Sequence, residues 1–200
     1  MKVLSARAIL ALALATAGFA AHADDAPLAH RIVRVTLDGA SDKGTSGRLI
    51  LFAAPASAAK DGKLEAVDTN PFQPKAVSVA AREVTWIAPG QSVDLDTDGE
   101  AFPAGFSTLP PGDYFFQAVL DVDNDYNYGG RHAGDLISDV TPVKLTPGGS
   151  LPVLKLSKTV PPRDPWVLPP MAPQEVRDAL PEARQHAHAE ILQSPLLTAF

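Results

Sequence analysis

Leu109–Ser138 reads LPPGDYFFQAVLDVDNDYNYGGRHAGDLIS, a proline–glycine turn, an alternating strand, an acidic loop and a glycine-rich exit. Within it Tyr114–Val122 is the clearest strand of the chain. Successive side chains of a strand point to opposite faces. Tyr114, Phe116, Ala118, Leu120 and Val122 therefore share one uniformly apolar face, which must meet a core, while Phe115, Gln117, Val119 and Asp121 share the other. Pro111 presets the first central position of a turn and Gly112 accepts a positive φ at the second, so a type II turn is expected to feed Tyr114 into the sheet. Tyr114 is either a core aromatic or a tyrosine corner whose hydroxyl returns to nearby backbone.

Short β-rich runs broken by turn residues extend on both sides of this strand. Arg31–Leu37 alternates β-branched and polar residues, and Gly47–Ala54 is the continuous apolar run of a strand covered on both faces. Ala76–Trp86 offers Val77, Val79 and Val84 to a core, and Gln91–Asp96 points Val93 and Leu95 the same way. Pro142–Thr146 and Leu151–Leu156 flank a Pro147-Gly148-Gly149 turn. About seven short strands with frequent turn signals predict an all-β fold, an antiparallel β-sandwich of immunoglobulin type, over residues 24–158.

Residues 1–23 carry Lys2 and Arg7, then the apolar run Ile9–Ala20, then Ala21-His22-Ala23 in a small-x-small cleavage pattern. This is the form of a secretory signal peptide, with an apolar run too short for a membrane span, and it predicts a periplasmic or secreted protein. Loss of Lys2 and Arg7 with the leader takes the net charge from −6 to −8. An acidic chain argues against nucleic acid or an anionic membrane surface as partner. No cysteine is present, which excludes thiolate catalysis and thiolate metal sites. At the other end, residues 159–173 form a linker whose prolines (161, 162, 165, 169, 170 and 173) bar helix and ladder alike. Residues 174–200 read as a helical segment, with Glu175 near its start and Pro181 dividing or restarting it. Its weakly apolar face would not hold a helix alone.

Candidate chemistry is sparse. Asp121, Asp123, Asp125 and Asn127 alternate, as oxygen ligands of a calcium loop do. Counting Asp121 as the first loop position, Tyr126 stands where an EF-hand needs glycine and His132 where it needs glutamate. The alternative is a solvated turn whose Asp and Asn side chains cap their own backbone. His186, His188 and Glu190 lack the i, i+4 histidine pair of a helical zinc site. Gly105-Phe106-Ser107-Thr108-Leu109 lacks the second glycine of a nucleophile elbow and runs into a proline turn. Trp86, Tyr126, Tyr128 and Trp166 are either packing aromatics or a sugar-stacking surface. No residue is assigned as catalytic.

One resemblance organises these features. Leu109–Leu120 (LPPGDYFFQAVL) is similar to the signature strand of an N-terminal Ig-like domain, the one that precedes the catalytic part of secreted esterases of the enterochelin-esterase-like α/β-hydrolase family. Gly129–Ser138 (GGRHAGDLIS) resembles that family's following loop, and Ile191–Phe200 (ILQSPLLTAF) the junction that opens its hydrolase domain. The resemblance spans Arg31 to Phe200. It implies a non-catalytic accessory domain whose partner is an α/β-hydrolase domain, covalent or separate. The family's serine, acid and histidine would lie beyond Phe200, so none maps onto a residue here and the chain by itself is expected not to be an esterase. The other expectation is an independent exported binding module, calcium-dependent through Asp121, Asp123, Asp125 and Asn127.

Overall fold

The computed structural model describes residues 29–127, 130–164, 166–168 and 171–188. Nine strands follow one another as β1 (Ile32–Leu37), β2 (Thr45–Pro55), β3 (Ser78–Ile87), β4 (Ser92–Asp96), β5 (Glu100–Phe102), β6 (Gly112–Asp121), β7 (Leu136–Ser138), β8 (Thr141–Leu145) and β9 (Leu154–Thr159). Side by side they run β4-β1-β9-β7-β6-β2-β3-β5, with β8 also on β6. The chain is thus mostly β, one large sheet nearly closed into a barrel, followed by the helix α1 (Gln174–His186). The leader expected over residues 1–23 lies outside the described residues.

The pairing gives one continuous sheet where two facing sheets were expected, and β7 is the reason. It is hydrogen-bonded to β6 on one side and to β9 on the other, so β9, β1 and β4 join the sheet that β6, β2, β3 and β5 build. The β1–β9 pair is parallel and the other ladders are antiparallel. At the open seam β5 covers only Val79–Ala81 of β3. Beyond it, Arg82 Nη1 donates across the gap to the carbonyl of Asp94 on β4 at 2.6 Å.

The centre of the sheet is the β2–β6 ladder, from Arg48↔Asp121 to Pro55↔Tyr114. Tyr114, Phe116, Ala118 and Leu120 fill the barrel with Leu49, Leu51 and Ala53 of β2, and Phe106 meets Phe116 edge-on at 5.7 Å. The other face of the ladder is buried too. Ile50, Phe52, Ala54 and Val119 pack under residues 56–77, a long β2–β3 connection that presses Val67 and Val77 onto them. Leu49–Ala54 is therefore covered on both faces, as the apolar run predicts, while Arg48 at its start is exposed and pairs with Glu83.

Opposite β6, the strand that contains β7 and β8 carries one extra residue: Phe116 faces Thr141, but Val119 faces Ile137. Such a bulge interrupts the ladder. Side chains repair it. Ser138 Oγ accepts the Ala118 N–H at 2.9 Å, and Gln117 Nε2 donates to the Ser138 carbonyl at 2.8 Å.

Three local expectations are settled by geometry. Tyr114 is both core aromatic and corner: it is buried, and its hydroxyl donates to the Pro110 carbonyl at 3.1 Å. The type II turn before it does not form. Gly112 has φ of 159°, extended backbone rather than the roughly +80° such a turn needs, because Gly112 already pairs with Leu145 as the first residue of β6. Pro181 neither divides nor restarts the helix. The α-helix runs through it from Gln174 to His186, with Glu175 in the first turn and Arg184 and His186 in the last, the charge order that complements a helix dipole. The linker carries no strand or helix among its described residues beyond Thr159, the last residue of β9.

Candidate functional site

The acidic loop begins where β6 ends. Gly47 admits the close approach of the two strands there, since a Cβ would lie 2.3 Å from the Asp121 carbonyl oxygen. Asp121 points outward and is 1% exposed. Asn124, at φ of 54°, bends the chain back through the left-handed region that Asn tolerates. The loop amides then reach the Asp121 carboxylate: Asp125 N donates to Oδ1 and Tyr126 N to Oδ2, both at 3.1 Å. Across the loop, buried Asp135 accepts Val122 N at 3.4 Å and His132 N at 2.8 Å, one on each oxygen. Asp125 Oδ1 stands 2.8 Å from His132 Nδ1.

Carboxylate oxygens of Asp121, Asp125 and Asp135 fall within 4.8 Å of one another. Of the four residues singled out by spacing, Asp121 and Asp125 are brought together. Asp123 is exposed and outside that group; Asn127 is exposed too, and its Nδ2 donates to the Asp125 carbonyl at 2.9 Å. Asp135 takes the third place. Its carboxyl is pushed up from the usual range by burial first, then by the negative charges of Asp121 and Asp125. Three carboxylates supply three to six of the roughly six to eight oxygens a calcium ion gathers, according to whether each binds through one oxygen or both. The oxygens of Asp121 and Asp135 already serve backbone amides, the self-capping role that Asp plays in turns.

Beside this loop lies a polar network that strand periodicity alone does not reveal. Gln117 is 2% exposed on the outward face of β6. Its Oε1 accepts the Val67 N–H and Arg131 Nη2, each at 2.8 Å. Arg131 also donates to the Val67 carbonyl, and its guanidinium lies over the Phe52 ring, 5.9 Å from the centroid. The Tyr126 hydroxyl donates to Asp68 Oδ1 and contacts Thr69 Oγ1 at 3.0 Å. Burial first, then the Asp68 hydrogen bond, pushes the Tyr126 phenol up to about 12. Burial lowers Arg131, against the opposing charge of Asp68. The network straps residues 67–69 to β6 and to the acidic loop. Its sequence signal is a Gln between Phe115 and Val119 on the outward face of β6.

The remaining candidates do not assemble a reaction centre. Ser107 sits in a short 3-10 turn with its N–H on Asp98 Oδ1 at 2.8 Å. His30 pairs instead with Asp96, at 2.7 Å. His186 closes α1 and His188 follows it, with Glu190 outside the described residues. The aromatics have different neighbours. Trp86 lies over Gly44, Tyr126 packs on Phe52 at 5.6 Å, Trp166 stands beside Arg184, and Tyr128 is outside the described residues. No family model, curated protein or solved structure matches the chain.

Proposed function

We propose that this chain is a non-catalytic accessory domain of an exported, periplasmic or secreted protein, and that it carries an esterase-like α/β-hydrolase partner as the Ig-like domains it resembles do. The observation that supports this reading is α1. The barrel satisfies its own core, yet the helix beyond the proline-rich segment has no buried residue, and Met171 and Val176 before and within it are 94% and 45% exposed. An isolated helix of this length is marginal in water and is ordinarily held by packing of an apolar face. A partner domain supplies that packing, and the extended linker sets its distance from the barrel.

The test uses native protein recovered from the cell that exports it, treated with a fluorophosphonate probe that labels active serine hydrolases. Label is expected on the species that contains this chain or on one that co-purifies with it. A native form with no label and no labelled companion overturns the proposal. So does turnover of a p-nitrophenyl ester by the purified chain that is lost in Ser107→Ala.

A further inference from the structure

At the end of β6 away from the acidic loop, the chain leaves a cleft of about 490 Å³, within the size range of small-molecule sites. Ile32, Leu109 and Leu151 give it an apolar wall; Leu109 and Leu151 pack on the main core, and Ile32 is 48% exposed. The opposite side is rich in donors. Arg31 spends Nη2 on the Thr146 carbonyl at 3.1 Å, while Nη1 is buried in the wall with no acceptor. In the turn between β8 and β9, Gly149 N closes onto Thr146, and the N–H groups of the exposed Gly148 and Ser150 have no acceptor among the described residues and are open to solvent or a ligand.

Nearby carboxylates balance the charge here but do not satisfy these donors, because their oxygens are bonded elsewhere. Asp96 is held by His30 and by the Asp98 N–H, and Asp98 by the N–H groups of Arg31 and Ser107. A cleft with an unpartnered guanidinium nitrogen, free turn amides and a hydrocarbon wall suits an acceptor-bearing head, such as a carboxylate, on an apolar body. Donors left over at a concave site are the usual polar anchors of ligand recognition, and a carboxylate on a guanidinium gains a charge-assisted hydrogen bond. We propose that this cleft binds small carboxylic acids, with the carboxylate at Arg31 and the 148–150 turn and the hydrocarbon against Ile32, Leu109 and Leu151. The site is independent of the hydrolase partner.

Titration of the isotope-labelled full chain with octanoate, followed by amide NMR, tests it, with 1-octanol as the uncharged comparator. Saturable shifts are expected at the amides of Gly148 and Ser150. Octanol should bind about tenfold more weakly, the worth of one charge-assisted hydrogen bond. Arg31→Met should weaken octanoate by a similar factor. Ile32→Glu, at an exposed position that leaves the Arg31–Thr146 bond in place, should weaken it as well by setting a charge on the apolar wall. Absence of saturation at these amides overturns the proposal, as does octanol binding as tightly as octanoate, or unaltered octanoate affinity in the folded Ile32→Glu variant.

Discussion

Asp121 holds a motif position and a structural role at once. Its spacing with Asp123, Asp125 and Asn127 suggests an ion ligand, yet its buried carboxylate accepts the N–H groups of Asp125 and Tyr126 and so shapes the loop. Asp121→Ala is expected to destabilise the fold by about 2 kcal/mol, because two part-buried loop amides lose their shared acceptor; urea unfolding measures it. For the same reason millimolar calcium should leave the melting temperature unchanged. A calcium-dependent rise that disappears in Asp135→Asn would instead assign the loop to the ion.

Asp135 also gives the loop a pH signature. Its folded-state proton affinity is raised above the ordinary carboxylate value of 3.8, chiefly by burial. The folded state then holds a proton that the unfolded state has released, so this group's contribution to stability falls as pH rises from that value through the raised one. Asp94 and Asp96 act in the opposite sense. The Arg34 side chain lowers the first, and the Asp98 amide followed by His30 lowers the second, so their contributions are lost as pH falls. In urea unfolding across the acid range, wild type should lose stability relative to Asp135→Asn as pH rises. A difference that stays flat with pH refutes the assignment.

Strands were legible wherever alternation or a continuous apolar run was strong. Phe116, Ala118 and Leu120 meet the core as their period requires, and Leu49–Ala54 is buried on both faces. β5 and β7 were not legible, since three residues such as Glu100–Phe102 or Leu136–Ser138 are too few to show a period. The strap over residues 56–77 has no period at all. It is held by single side chains from distant strands and loops, Gln117, Tyr126 and Arg131. Arg131→Leu should therefore release it, with a loss of about 2 kcal/mol or more from unsatisfied buried partners and faster amide exchange at Val67. Tyr126 reports the same strap optically. Its contribution is present below the unfolded phenol value of 10.0 and lost as pH rises toward about 12. In an alkaline absorbance titration, Tyr126→Phe should remove a late-ionising phenol. If the late phase survives the substitution, the buried Tyr126–Asp68 contact is wrong.

The number of sheets is decided by partners far apart in the chain, which periodicity does not encode. Alternation tells which side chains face inward, but the parallel β1–β9 pair and the double pairing of β7 turn two expected sheets into one near-barrel. Near the barrel's end, Thr159 Oγ1 reaches the Ala40 carbonyl and Val160 N the Asp135 carbonyl. Further on, Asp164 and Trp166 each contact Arg184. Truncation after Arg163 should accordingly leave the barrel's unfolding free energy within about 0.5 kcal/mol of the full chain, the range of surface changes that touch no packed element. The excised segment, with no buried residue to hold it, should show little helix by circular dichroism. A large loss of barrel stability on truncation would mean that the helical segment packs on the strands, and the case for a partner domain would lose its support. Retained stability, with helix gained only when a hydrolase is present, is the outcome that a carrier role requires.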